Sequence, residues 1–134
     1  MKTRTQTLPA PALPLGMGSH PEPAGGRLQA RPHRLIRLLL ADDHPVVRRG
    51  IIYTLALHPN LEIVGEAADG LEALRKAREL LPDILLADID MPHLTGLAVT
   101  EALHKELPNI KVIILSVHAT SDYMLRCLQA GARG

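Results

Sequence analysis

The sequence predicts an α/β domain, a parallel sheet with helices packed on both of its faces. Three observations predict it. Short aliphatic runs recur that are continuous rather than alternating, the pattern of strands buried on both sides. Between them lie segments with apolar residues at helical spacing. Proline, glycine and aspartate stand at the joins, where the chain must change direction.

Leu35-Ile36-Arg37-Leu38-Leu39-Leu40 is the first such run, and it stops at Asp42-Asp43. Pro45 stands where a helix can begin, because a first-turn residue needs no N–H donor. Val47, Ile51 and Leu55 then recur at i, i+4 and i+8 until His58-Pro59-Asn60. Leu61 to Gly65 alternates as a strand, and Asp69-Gly70 opens a second helix with Leu71, Leu74 and Leu81 as its apolar positions. Pro82 starts the next segment, in which Ile84-Leu85-Leu86-Ala87 is a buried strand running into Asp88. After a polar loop, Val99, Leu103 and Leu107 mark a third helix that Pro108 ends. Val112-Ile113-Ile114-Leu115 is a fourth strand ending at Ser116, and a last helix covers the segment from Ser121 to Ala130, with Gly131 as its stop. The order β-α-β-α-β-α-β-α is that of parallel strands joined through crossover helices.

Composition bounds the function classes. Residues 1–33 contain Pro9, Pro11, Pro14, Pro21, Pro23 and Pro32 among Gly16, Gly18, Gly25 and Gly26, a mixture too poor in apolar surface to offset ordering entropy, so the segment is read as disordered. Pro11-Ala12-Leu13-Pro14 fits a PxxP pattern, but a flexible leader is the simpler reading. The formal net charge is +1, split into +4 over residues 1–34 and −3 over the rest, which argues against a nucleic-acid coat or a polybasic membrane anchor. Aromatic residues make up only 1%, so the core must be aliphatic. Cys127 is the single cysteine, which excludes an internal disulfide and a cysteine zinc cluster. No apolar run approaches membrane-spanning length, and a reducing, cytoplasmic setting is expected.

The chemistry is expected at strand ends. In open α/β sheets, sites form outside the carboxyl ends of strands. Asp42-Asp43 ends the first strand, Asp88 the third and Ser116 the fourth, so three carboxylates and a hydroxyl fall on one edge. Singly each has a plainer role, since Asp43 or His44 can cap the following helix. Together they form a cluster that resists ionising unless a cation joins it. The oxygen ligands point to a hard ion such as Mg²⁺. An ionised aspartate beside such an ion can attack phosphorus and form an aspartyl phosphate.

Three segments carry a family resemblance. Arg37 to Arg48, with Asp42-Asp43-His44-Pro45, resembles the first strand and loop of response-regulator receivers. Pro82-Asp83-Ile84-Leu85-Leu86-Ala87-Asp88-Ile89-Asp90-Met91-Pro92, followed by Gly96, resembles their phosphorylation segment, and Lys111 to Ser116 their fourth strand. The wording is most similar to the NarL/LuxR (FixJ-type) branch, over about residues 34 to 134. The resemblance implies a flavodoxin-like (CheY-like) sheet in strand order 2-1-3-4, with residues 34–134 as the receiver domain. It implies that Asp88 is the phosphoacceptor and that Asp43 binds Mg²⁺ directly, Asp42 mainly through water. Asp90 would offer its backbone carbonyl, and Ser116 would be the hydroxyl that moves toward the phosphoryl group. His44 and His118 flank the site, with tuning roles at most. The implied partner is a sensor histidine kinase, a homodimer is allowed, and direct nucleic-acid or membrane binding by this chain is not expected. The implied setting is two-component phosphorelay signalling and transcription regulation, by a module that is not an enzyme.

In that family Ala130-Gly131-Ala132-Arg133-Gly134 is followed by an aromatic residue, a fifth strand ending in lysine, a fifth helix and a LuxR-type DNA-binding domain. The expectation is therefore a C-terminally truncated receiver of marginal stability, with its fourth strand an exposed edge. Two other readings stand beside this one. A degenerate receiver that is never phosphorylated would serve as a docking module. Asp88-Ile89-Asp90 also resembles the nucleophile segment of haloacid-dehalogenase-type phosphatases, but those need Thr or Val where this chain has Pro92.

Overall fold

The structure is a computed structural model and describes residues 34–116 and 120–134. The disordered segment expected over 1–33, and His118, lie outside the described residues. Strand β1 (Ile36–Ala41) leads through helix α1 (Pro45–Leu55) to β2 (Leu61–Ala67). Helix α2 (Gly70–Leu80) precedes β3 (Ile84–Asp88), α3 (Gly96–Glu106) precedes β4 (Lys111–Leu115), and α4 (Ser121–Ala130) follows. The four strands form one sheet in the order β2-β1-β3-β4, every pairing parallel, as expected.

The strands form because consecutive aliphatic residues can be buried on opposite faces. Leu39 and Leu40 are neighbours in β1, and both are fully buried. One face carries the main core, in which Leu39, Ala41, Leu85, Ala87 and Val112 meet Ala73, Leu74 and Ala77 of α2 and Val99 and Leu103 of α3. Two sequence expectations change on this face. Leu71 is exposed, and Leu81 lies past the end of α2 in a left-handed conformation, φ 48°, also exposed. The small Ala73 and Ala77 take the buried positions instead, because α2 lies close over β2 and β1.

The other face is more open. Helix α1 buries none of its residues. Its predicted apolar stripe of Val47, Ile51 and Leu55 does face the sheet, but it lines an open groove of about 500 Å³ with Leu86 and Leu115. Nor is the outer edge of β4 bare, as had been expected. After α4 the backbone N–H of Arg133 donates to Val112 O at 2.8 Å, and that of Ile114 donates to Gly134 O at 2.8 Å. The residues after Gly131 thus turn back along β4.

Helix ends follow their caps. Asp69, Thr95 and Thr120 each accept a backbone N–H at the start of α2, α3 and α4, which satisfies donors that have no partner within the helix. Gly131 ends α4 at φ 117°, a conformation that favours glycine. Gly96 is required by closeness rather than by conformation. A Cβ there would stand 2.4 Å from the backbone oxygen of Asp88, while the Gly96 N–H donates to Ile89 O at 2.8 Å.

G96A should therefore push α3 away from the end of β3. We expect a loss of about 1–3 kcal/mol, the usual cost of forcing extra volume into a packed site, measured by urea unfolding. An unchanged midpoint would contradict this account of the packing.

Candidate functional site

The site is built by register. In the parallel pair β1–β3, Ala41 lies opposite Ala87. Asp42, just past the end of β1, and Asp88, the last residue of β3, therefore stand at the same edge of the sheet, with Asp43 just beyond. One oxygen from each of Asp42, Asp43 and Asp88, together with Nδ1 of His44, lie within 4.8 Å of one another. Asp42, His44, Asp88, Asp90 and Ser116 also line one open cleft of about 640 Å³. Ser116 follows β4, the strand paired to the far side of β3. The predicted convergence of carboxylates and hydroxyl is thus present among the described residues, and the cleft runs on to Val47, Ile51 and Leu115 of the apolar groove.

The capping role weighed for Asp43 and His44 does not survive. His44 sits at the N-cap position of α1, but its side chain makes no capping bond. Asp42 is deeply buried, 4% exposed, and its Oδ1 accepts the backbone N–H of His44 at 2.8 Å, which folds the turn. The Asp42 N–H donates to Ala67 O at 3.0 Å, extending the β1–β2 ladder by one step. Arg48 braces the same turn from α1. Its guanidinium donates to the Asp42 backbone oxygen at 2.5 Å and to Glu66 Oε1 at 2.9 Å.

Charge is concentrated and only partly balanced. Burial raises the Asp88 carboxyl above the ordinary carboxylate value, and the negative charges of Asp42 and Asp43 push it the same way. Backbone N–H groups of Ile89 and Asp90 oppose this by donating to the carboxylate. Asp43 Oδ1 is buried without a hydrogen-bond partner. A buried carboxylate oxygen in that state is costly. A divalent cation among these oxygens would relieve both the orphaned lone pair and the repulsion, so the residues present fit Mg²⁺.

Sequence reasoning gave His44 only a minor place. The structure puts its Nδ1 3.0 Å from Asp43 Oδ1 and 3.3 Å from Asp42 Oδ1. Arg48 received no role at all, although its i+6 spacing from Asp42 across Pro45 is the signal that could have marked it.

The sequence profile of the response regulator receiver domain matches residues 38–134. Response regulator GacA of Pseudomonas viridiflava is 46% identical over 100 residues, which is 75% of this chain and 47% of that protein. The chain thus spans about half the length of the curated relatives it matches. Among solved structures, the signal receiver domain of the NarL response regulator from Mycobacterium tuberculosis superposes with a TM-score of 0.72 at 34% identity, covering 74% of this chain and 80% of that one. The CheX–CheY–BeF₃⁻–Mg²⁺ complex from Borrelia burgdorferi contains a chain that superposes with a TM-score of 0.67 at 27% identity, covering 73% and 74%.

The raised Asp88 value sets a pH dependence. The folded state holds this proton to higher pH than the unfolded chain, so its ionisation costs stability. That cost is absent below the unfolded value near 3.8 and complete once pH exceeds the raised folded value. Without divalent metal, D88N should raise the thermal midpoint at pH 7 by several degrees and lose that advantage in acid; an unchanged or lowered midpoint at pH 7 would argue against the strain. R48M should lower the midpoint by the equivalent of about 1–3 kcal/mol, because it leaves the Asp42 carbonyl and Glu66 without their charged donor.

Proposed function

This chain belongs to the response regulator receiver domain family, and we propose that within it Asp88 accepts a phosphoryl group from a partner histidine kinase. One observation carries the reading. The β1–β3 register brings Asp42 and Asp88 to the same edge of the sheet, with an Asp43 oxygen within reach of both.

In this reading Asp43 and Asp88 would hold Mg²⁺ directly, Asp42 mainly through water, and Asp90 would offer its backbone carbonyl. Bound Mg²⁺ would offset charge on the phosphoryl oxygens during transfer. An Asp88 oxygen forms the new bond to phosphorus while the bond to the donor nitrogen breaks, its electron pair leaving with the donor. The N–H groups of Ile89 and Asp90 orient the attacking carboxylate. Arg48 and the Asp42 turn keep the neighbouring acids in place. Ser116, on the same cleft, donates its hydroxyl to a phosphoryl oxygen once the group is attached.

The reading makes the chain a phosphorylated signalling module of a cytoplasmic two-component system, one that stores a signal rather than turning over a substrate. Two features support it: oxygens of Asp42, Asp43 and Asp88 lie within 4.8 Å of one another, and a chain of similar fold comes from a complex that contains BeF₃⁻ and Mg²⁺. No helix among the described residues is long and apolar enough to cross a membrane.

Incubation with acetyl phosphate and Mg²⁺, followed by intact-mass measurement, should show one phosphoryl adduct on the parent chain and none on D88N. A parent chain that stays unmodified would favour a docking module, and an adduct that survives D88N would refute the assignment of Asp88. Mg²⁺ at a hundred times its Kd should stabilise the folded chain by about 2.7 kcal/mol. D43N should abolish most of that gain in a thermal-shift titration.

A further inference from the structure

The acidic cluster includes a nitrogen, Nδ1 of His44. His44 follows the acidic pair and stands at the start of α1, yet it does not cap the helix. Its ring turns back toward the carboxylates. Nδ1 stands 3.0 Å from Asp43 Oδ1, the distance of an ion pair when the ring is protonated. The contact from Nδ1 to Asp42 Oδ1 is long for a hydrogen bond, 3.3 Å. The ring is 65% exposed. Nδ1 also lies within 4.8 Å of the Asp88 oxygen, so all four candidate donors can meet one ion.

Resting on the reading of this cluster as a metal site, we propose that His44 Nδ1 joins the carboxylates as a ligand, making the site selective for first-row transition ions such as Mn²⁺ over Mg²⁺. Oxygen ligands alone suit Mg²⁺, which dehydrates reluctantly and gains little from imidazole. A neutral imidazole with its proton on Nε2 presents a lone pair at Nδ1 that transition ions bind well, increasingly so along the series from Mn²⁺ to Cu²⁺. A site of three carboxylates and one imidazole therefore still holds Mg²⁺ but holds Mn²⁺ more tightly. The inference concerns which ion occupies the site, and it is separate from whether Asp88 accepts phosphate.

The test uses Mn²⁺ as a spectroscopic probe on the whole 134-residue chain. Electron spin-echo spectroscopy should show coupling of bound Mn²⁺ to an imidazole ¹⁴N in the parent chain. H44A should lose that coupling and weaken Mn²⁺ binding about tenfold, the scale of loss when a group that completes or orients a metal shell is removed, with Mg²⁺ affinity nearly unchanged. H58A, which removes an exposed histidine outside the site, should keep both signal and affinity. Bound Mn²⁺ without nitrogen coupling, or coupling that persists in H44A, would overturn the role of His44 and leave the carboxylate site standing. Absence of any divalent binding to the parent, or binding unaffected by D43N, would overturn the site itself and this inference with it.

Discussion

Everything at this site depends on bringing like charges together. Parallel pairing of β1 and β3, with Ala41 opposite Ala87, delivers Asp42 and Asp88 to one point on the sheet edge, and Asp43 adds a third acid. Left alone, three carboxylates at that separation repel, and the response is visible in Asp88, whose carboxyl is raised by burial and by its two neighbours. The repulsion is a local cost that the rest of the domain must outweigh. Leu39, Leu40 and Leu85 are fully buried within a few residues of the acids, on the same two strands. Burial of side chains of that size is worth roughly 1.5–3 kcal/mol each, so the strands that create the strain also carry the burial that holds it.

Around the acids is a frame whose parts each limit a movement that would relieve the repulsion. Arg48 ties α1 to the Asp42 carbonyl and to Glu66 on β2. The Asp42 carboxylate is held by the His44 N–H and cannot swing outward without breaking the turn. Gly96 lets α3 begin against the Asp88 carbonyl, closing the segment after β3. At the opposite end of the sheet Asp83 accepts the Arg37 N–H at 2.8 Å, which sets the start of β3 beside β1 and thereby the register at the far edge. A phosphoryl group with its cation would be received by a preorganised edge with no need for folding around it.

Much of this was legible in the sequence for identifiable reasons. Strands appeared as continuous aliphatic runs because both faces of a parallel sheet are covered, and Asp88 stood out because it ends such a run. Thr95 and Thr120 went unread as caps, since a hydroxyl before a helix is too common to single out. Leu71 and Leu81 stand out in the sequence as apolar helix positions because large apolar residues dominate a periodic pattern. The close approach of α2 to the sheet reverses that choice, and the small Ala73 and Ala77 are buried instead. Contacts that span the chain left no pattern at all. The return of Arg133 and Gly134 along β4 and the reach of Arg48 to Glu66 depend on where elements lie in space.

Sequence by itself determined the alternation of strands and helices, the acids at the strand ends and the family, because each is local: a run, a spacing or a motif read within about a dozen residues. Tertiary structure decided which acids share a site, by a register that no single segment contains. It also decided that Asp43 Oδ1 is buried beside His44 Nδ1 and that His44 faces the carboxylates instead of capping its helix. Those outcomes follow from distances between atoms on different elements, and a residue's place in the chain does not contain them.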